Sequence, residues 1–263
     1  MNRIGAFWKK GKKALVPFVT AGFPNKSFTP EIVLALTESG ADMVELGIPF
    51  SDPLADGPTI QASSQIALQN GVGFGDIFRM TVKIRTKSEI PLLLMGYYNT
   101  LFAYGLKKFA KDASRSGVDG LIVPDLPPEE GGGLSKICRK RNLSLVYLIA
   151  PTTPAERVSK IASASADFAY CVSLTGVTGT RKKTSTELKD FLLSVRMKTK
   201  KPLVVGFGIS TPQQVAEVAA YCNGVVVGSA LVKLLLEERN YRVALRKACS
   251  LFSQMAESLN GTG

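Results

Sequence analysis

Between Ala41 and Gln61 the chain carries three carboxylates in a pattern suited to proton transfer. Glu45 sits in the middle of the apolar run Met43-Val-Glu-Leu-Gly47. Asp52 and Asp56 follow in a loop that Gly47-Ile-Pro49 opens and Gly57-Pro58 closes. Side chains of an extended segment alternate between its faces, so Met43, Glu45 and Gly47 share one side and Val44 and Leu46 the other. With Val44 and Leu46 packed outward against helices, Glu45 points into a barrel interior near the strand's C-terminal end, with the two aspartates on the same rim. An ionised carboxylate there is costly unless a partner neutralises it or its proton is put to use. The segment alone leaves both readings open, a core glutamate satisfied by a lysine and an acid-base group.

The 263 residues contain no histidine. Ser-His triads, histidine bases and His-ligated zinc are therefore excluded, and acid-base work falls to carboxylates, tyrosines, lysines or thiols. No lysine lies in any expected strand, which disfavours a Schiff base. Metal chemistry is disfavoured as well, because an all-oxygen site would be needed and only the 41–61 loop offers more than one acid. Besides Glu45, Asp52 and Asp56, the groups expected at strand ends are Tyr97, Tyr98, Asp125, Tyr170 and Cys171.

These residues need a scaffold, and the chain supplies a repeating one. Apolar runs at 15–20, 43–47, 91–97, 120–123, 143–150, 168–173, 203–208 and 224–228 alternate with helical patterns at 30–39, 59–69 and 75–86, 106–116, 128–141, 154–162, 184–198, 212–220 and 230–237. Thr184-x-x-Glu187 reads as a capping box opening the helix at 184. An amphipathic helix over 3–12 precedes the first strand, and another over 239–259 ends the chain. Eight near-continuous apolar strands, each followed by a helix, predict an α/β (β/α)8 TIM barrel, a single domain spanning 1–263 with an extra N-terminal and an extra C-terminal helix. A doubly wound open sheet is the structural alternative, since strand count does not prove closure.

Composition narrows the setting. No apolar run reaches the ~18 residues of a membrane span and no leader pattern opens the chain, so a soluble protein is expected. Cys138, Cys171, Cys222 and Cys249 are widely separated, which predicts free thiols in a reducing, cytoplasmic setting. The net charge of +12 comes from scattered basic clusters without interleaved aromatics, as expected of a basic surface that favours anionic ligands; nucleic-acid binding is not expected.

Two glycine motifs, Val205-Gly-Phe-Gly208 and Val227-Gly-Ser-Ala230, put glycine at a strand end and small or hydroxyl residues at a helix start. Loops seven and eight of such barrels commonly hold phosphate on backbone amides. Glycines needed only for tight turns are the other reading. The glycine-hinged, ten-residue stretch Leu174 to Lys183 has the length of a lid, or is a solvated basic loop.

Glu45-Leu-Gly-Ile-Pro-Phe-Ser-Asp-Pro-Leu-Ala-Asp-Gly-Pro-Thr-Ile-Gln61 closely resembles the signature of the tryptophan synthase alpha subunit family. Val16 to Gly22, Met95 to Asn99, Gly176 to Gly179, Gly206 to Ser210 and Gly228 to Ala230 fall in that family's order, so the likeness runs from about residue 14 to 235. The resemblance implies a (β/α)8 lyase that cleaves indole-3-glycerol phosphate to indole and glyceraldehyde 3-phosphate, working as two alpha with two beta subunits. Indole then passes through a tunnel to the beta subunit, which alone would carry pyridoxal phosphate. Carried over by position, Glu45 is the acid-base residue that protonates indole C3 and takes the proton of the adjacent side-chain hydroxyl. Asp56 holds the indole N–H. Phe18, Tyr97 and Tyr170 line the indole pocket. Gly179, Phe207, Gly208, Gly228 and Ser229 form the phosphate cradle, and Thr178 in the lid meets the catalytic aspartate on closure. Pro49, Ser51, Asp52, Pro53, Leu54 and Ala55 lie where the family meets its beta subunit. Leu174-Thr175 replaces an arginine found in many members before the lid glycine, and Thr100 stands where proline is expected. Another phosphate-barrel isomerase or synthase, and a regulatory phosphate-binding subunit that mainly activates a beta partner, are the alternatives.

Overall fold

The computed structural model describes residues 2–172, 181–206 and 208–261. The strands are β1 (Ala14–Thr20), β2 (Val44–Gly47), β3 (Leu92–Met95), β4 (Gly120–Ile122), β5 (Ser144–Val146), β6 (Leu148–Ile149), β7 (Ala169–Val172), β8 (Leu203–Gly206) and β9 (Gly224–Val227). Around them run α1 (Arg3–Trp8), α2 (Phe28–Glu38), α3 (Pro58–Gln69), α4 (Phe74–Arg85), α5 (Tyr98–Tyr104), α6 (Leu106–Ser116), α7 (Gly132–Lys140), α8 (Ala155–Ala164), α9 (Arg181–Arg196), α10 (Pro212–Ala219), α11 (Ser229–Glu237) and α12 (Tyr241–Asn260).

All strand pairs are parallel, in the order β5-β4-β3-β2-β1-β9-β8-β7-β6. β1 joins β9, and the two ends of the order, β5 and β6, are pieces of one run interrupted at Tyr147. The amide of Tyr147 donates to Ser165 Oγ at 3.0 Å and so leaves the ladder, which divides the predicted fifth strand. Eight staves therefore go round as expected of a TIM barrel.

Alternation along each strand divides the core in two. Val44, Leu46, Leu92, Leu94, Leu203, Val205 and Val225 pack outward with helix residues including Ile32, Ile77, Phe109 and Phe252. Each fully buried Leu or Phe of this layer stabilises by about 1.5–3 kcal/mol relative to exposure. The inward set, Val16, Met43, Leu93, Met95, Ile122, Val146, Tyr170, Val204 and Val226, fills the barrel. Ile4 and Phe7 of α1 join that set and close the N-terminal end, where Trp8 packs against Phe168 with ring centroids 5.9 Å apart. At this end Asp119 accepts from Arg85, Arg3 and the Leu92 amide at 2.7, 3.1 and 3.0 Å.

Several boundaries differ from expectation. The first helix stops at Trp8, and the helix expected from 184 already includes Arg181, so Thr184 lies inside it. The seven-residue α5 was not anticipated. Its Tyr-Asn-Thr start favours helix weakly, but Asp125 accepts the Tyr98 amide at 2.9 Å and Thr100 Oγ1 donates to the Tyr97 carbonyl at 2.7 Å, which fixes its first turn.

Candidate active site

The expected alternation holds at β2: Met43 belongs to the barrel interior and Val44 and Leu46 to the outer layer. Glu45 faces inward and is 1% exposed. It is in register with Phe18 on β1 and Leu93 on β3, so apolar side chains flank it on both sides. Tyr170 on β7 donates its hydroxyl to Glu45 Oε2 at 3.3 Å. No lysine or arginine pairs with it among the described residues. Burial pushes the Glu45 carboxyl up to about 8, and the Tyr170 hydrogen bond offsets that only in part. At neutral pH it holds a proton that it is able to give away.

Asp56 stands on the β2–α3 loop. Tyr97, at the N-cap of α5, donates its hydroxyl to Asp56 Oδ2 at 3.1 Å and accepts the Ala55 amide at 2.9 Å. Burial raises the Asp56 carboxyl above its ordinary range, and the Tyr97 bond pulls against it. Tyr170 feels the charge of both Glu45 and Asp56, so the two acids bear on one tyrosine hydroxyl. A small cavity beside Asp56 is lined by Phe18, Gly47, Asp56, Ile60, Met95 and Tyr97 among others, with Phe18 in register with Glu45 on the neighbouring strand.

Two glycines make room for the aromatic groups. A Cβ on Gly47 would overlap the Phe18 ring, and one on Gly206 would overlap the Tyr170 hydroxyl. These close approaches are why glycine stands in two strand ends. That signal was present in the sequence, but its steric partners were not.

Of the other rim candidates, Asp52 is exposed beside Ser51, with Ser51 Oγ 2.5 Å from its carboxylate, and takes no part in the cavity. Asp125 is spent on the Tyr98 amide, and Cys171 faces the outer layer. Within the segment expected to meet a partner, Pro49 is buried, Pro53 half-buried, and Ser51, Asp52, Leu54 and Ala55 exposed, Leu54 at 96%. All four cysteines are unpaired thiols.

The two glycine motifs prove unequal. At the start of α10, Thr211 and Gln214 form a capping box, and Gln214 Oε1 also accepts from the Ser210 amide at 2.8 Å, so these amides are already occupied. The pattern Thr211-Pro-Gln-Gln214 was legible as such a box. α11 begins at Ser229 behind Gly228 with no side-chain cap and no acid in its first turn, and its positive dipole end faces the barrel mouth. Gly208, with φ +80, is exposed on the loop that precedes α10. Thr178, Gly179 and Phe207, like most of the expected lid, lie outside the described residues.

The tryptophan synthase alpha chain family model matches residues 5–260. The tryptophan synthase alpha chain of Thermoanaerobacter sp. (strain X514) is 46% identical, the match covering 98% of this chain and all of that one. Among solved structures, the tryptophan synthase alpha chain from Legionella pneumophila subsp. pneumophila superposes with TM-score 0.90 at 39% identity, covering 100% of this chain and 99% of that one. A chain from a study of mutual activation of the tryptophan synthase a2b2 complex of Pyrococcus furiosus gives TM-score 0.85 at 40% identity, covering 95% and 99%.

Proposed function

The chain belongs to the tryptophan synthase alpha chain family, lyases that cleave indole-3-glycerol phosphate in tryptophan biosynthesis, and we propose that here Glu45 moves the protons while Asp56 holds the indole nitrogen. The observation that carries this assignment is an inward, buried Glu45, its carboxyl pushed up to about 8 by burial, hydrogen-bonded to a Tyr170 that also feels the charge of the loop-borne Asp56.

The chemistry follows from charge. Protonated Glu45 delivers its proton to indole C3, drawing a pair of ring electrons into the new C–H bond and leaving positive charge delocalised onto the ring nitrogen. Asp56, as its anion, accepts the N–H hydrogen bond and stabilises that charge. Glu45, now ionised, takes the proton of the hydroxyl on the carbon attached to C3. The oxygen pair becomes a carbonyl, the carbon-carbon bond breaks, and its electrons return to the ring. Indole and glyceraldehyde 3-phosphate result, and Glu45 ends protonated as it began. One group serves as acid and then base because its raised pKa lies close to neutral pH.

Phe18, Tyr97 and Tyr170 give the indole an apolar wall, and Gly228 and Ser229, with Gly208, offer backbone amides to the phosphate. We assign Gly179 and Phe207 to the same cradle and Thr178 to the lid from their sequence positions. The exposed face around Leu54 is assigned to the beta subunit, with which a relative forms an a2b2 complex. Pyridoxal phosphate belongs to that subunit, and we assign no cofactor to this chain. No helix among the described residues is long and apolar enough to cross a membrane; unpaired thiols support a reducing, cytoplasmic setting.

The test is release of indole from indole-3-glycerol phosphate, with and without a cognate beta subunit. Turnover that rises with the beta subunit supports the assignment. Tight complex formation without any turnover contradicts it.

A further inference from the structure

Because all strands are parallel, every connection from a helix to the next strand enters the barrel at one end, opposite the end that carries Asp56. These connections, with the last helical turns that lead into them, are basic. The run after α1 exposes Lys9, Lys10 and Lys12, the segment before β5 exposes Arg139, Lys140 and Arg141, and the one before β8 exposes Lys198 and Lys200. Lys83, Lys87 and Arg115 add to them before β3 and β4. None of these side chains forms an ion pair among the described residues.

The acids of this end do not neutralise them. Asp119 is held by Arg85 and Arg3, Asp42 accepts the Leu15 amide and Asp167 accepts from Ser144, so all three are engaged within the fold. Glu89 is exposed but paired with Arg3. The other exposed acids are Glu38, Glu217 and Glu257, on α2, α10 and α12. Positive charge therefore dominates the surface before β8, β1, β3, β4 and β5, most of the way round the barrel.

Exposed aliphatic groups share this surface. Val82 stands beside Lys83, and Leu193 and Met197 lie one helical turn apart next to Lys198, with Met197 79% exposed. The exposed rings are elsewhere: Phe102 is on α5, beyond the far end of β3, and Tyr241 packs against Phe28 at the start of α2. Single-stranded nucleic acid is bound by basic grooves that also offer aromatic stacking platforms. Lysine interspersed with aliphatic side chains suits a lipid interface, where the charges meet headgroup phosphates and the aliphatic groups enter the boundary layer.

We propose that the end of the barrel opposite the active site is a docking face for an anionic phospholipid surface, held by Lys9, Lys10, Lys12, Arg139, Lys140 and Arg141 and their neighbours. Association is peripheral and reversible, since it draws on surface charge and a few aliphatic side chains and inserts no helix. Docked in this way, the chain turns Asp56 and the exposed Leu54 turn away from the lipid, so the catalytic end stays open.

The test is co-sedimentation of the full chain with vesicles of phosphatidylglycerol and phosphatidylcholine in equal parts, against vesicles of phosphatidylcholine alone, at about 0.1 M salt. The proposal expects partition about tenfold or more stronger on the anionic vesicles, with release at about 0.5 M salt, where the Debye length is roughly halved. The variant Lys9→Glu/Lys10→Glu/Lys12→Glu should lower partition about tenfold or more, and so should Arg139→Glu/Lys140→Glu/Arg141→Glu. Two separate triples keep the test open should one of them fail to fold. Cleavage of indole-3-glycerol phosphate should stay within about twofold of wild type in both. Met197→Ser, at unchanged charge, should lower partition about threefold. Lys107→Glu/Lys111→Glu/Lys136→Glu removes the same charge from exposed positions of α6 and α7 away from this end, and should lower partition by less than about threefold. Equal partition on the two kinds of vesicle overturns the proposal. An equal loss in the α6 and α7 variant overturns it too, since net charge and not this face would then be the cause. Binding of polyuridylate without any partition onto vesicles would give the face to RNA and overturn the lipid assignment.

Discussion

Tyr170 and Glu45, 125 positions apart in sequence, meet inside the barrel, where the tyrosine hydroxyl donates to Glu45 Oε2 at 3.3 Å. The bond favours the ionised carboxylate, while burial beside Phe18 and Leu93 favours the protonated one, and burial is the stronger influence. The balance leaves an acid that gains and loses its proton near neutrality, as a group acting twice in one turnover requires.

That balance is open to test in Tyr170→Phe. Without the donor, the ionised form of Glu45 loses its hydrogen bond and the carboxyl titrates higher still. The basic limb of kcat/KM, which lies near pH 8 if Glu45 must be protonated, should move up by about one unit. The rate at pH 7 should fall about tenfold, because a carboxyl that holds its proton more tightly is a weaker acid toward indole C3. A limb that stays in place would separate Glu45 from the profile.

Stability should carry the same signature. In the unfolded chain Glu45 titrates at its ordinary 4.5, and in the folded chain at about 8. Between those values the folded chain holds a proton that the unfolded chain has released. Stability from this group is therefore full below about pH 4.5 and declines as pH rises to 8, a change on the order of a few kcal/mol. Glu45→Gln has no such proton. Urea unfolding at pH 5, 7 and 9 should show the variant gaining on wild type as pH rises, and a constant difference would refute the shift.

The start of α11 makes a prediction with opposite signs. Ser229→Asp places a negative charge on an exposed first turn, where the helix dipole favours it by about 0.3–1 kcal/mol. The same charge repels phosphate. The variant should be as stable as wild type or slightly more so in thermal melts, while KM for indole-3-glycerol phosphate rises about a hundredfold. Unchanged KM would remove α11 from the phosphate site.

The buried Asp119 pair at the opposite end of the barrel should bear on stability alone. Asp119 is 2% exposed and neutralises Arg85 while accepting the Leu92 amide. Asp119→Ala leaves a largely buried guanidinium unpaired and should cost about 3–5 kcal/mol. At temperatures where the variant stays folded, kcat should hold within about twofold. A large loss in kcat without loss of stability would contradict this division between the two ends.

The repeating strand-helix pattern was legible because parallel strands buried on both faces read as continuous apolar runs. The orientation of Glu45 followed from the two-residue period alone, with Val44 and Leu46 as its outward check. The break at Tyr147 was not legible, since it depends on Ser165, eighteen residues on, taking the strand's amide. Nor was α5, whose first turn relies on Asp125 from another strand's loop. The hydroxyl links from Tyr97 to Asp56 and from Tyr170 to Glu45 span 41 and 125 positions, and no local pattern encodes them. Asp52, grouped with the other two acids by proximity in sequence, faces solvent because the Pro53–Asp56 turn carries Asp56 inward and leaves Asp52 behind.

The most direct test of Glu45 as the group that moves the proton at carbon is turnover in deuterium oxide, with a cognate beta subunit lacking its own activity added to close the site. Proton magnetic resonance of the released indole reports deuterium at C3. Wild type should give indole carrying one deuterium at C3 for each molecule of indole-3-glycerol phosphate cleaved, and Glu45→Gln should lower cleavage and C3 labelling together by a factor of about a thousand or more. Cleavage by Glu45→Gln at a rate close to wild type, with C3 labelled as before, would contradict the account.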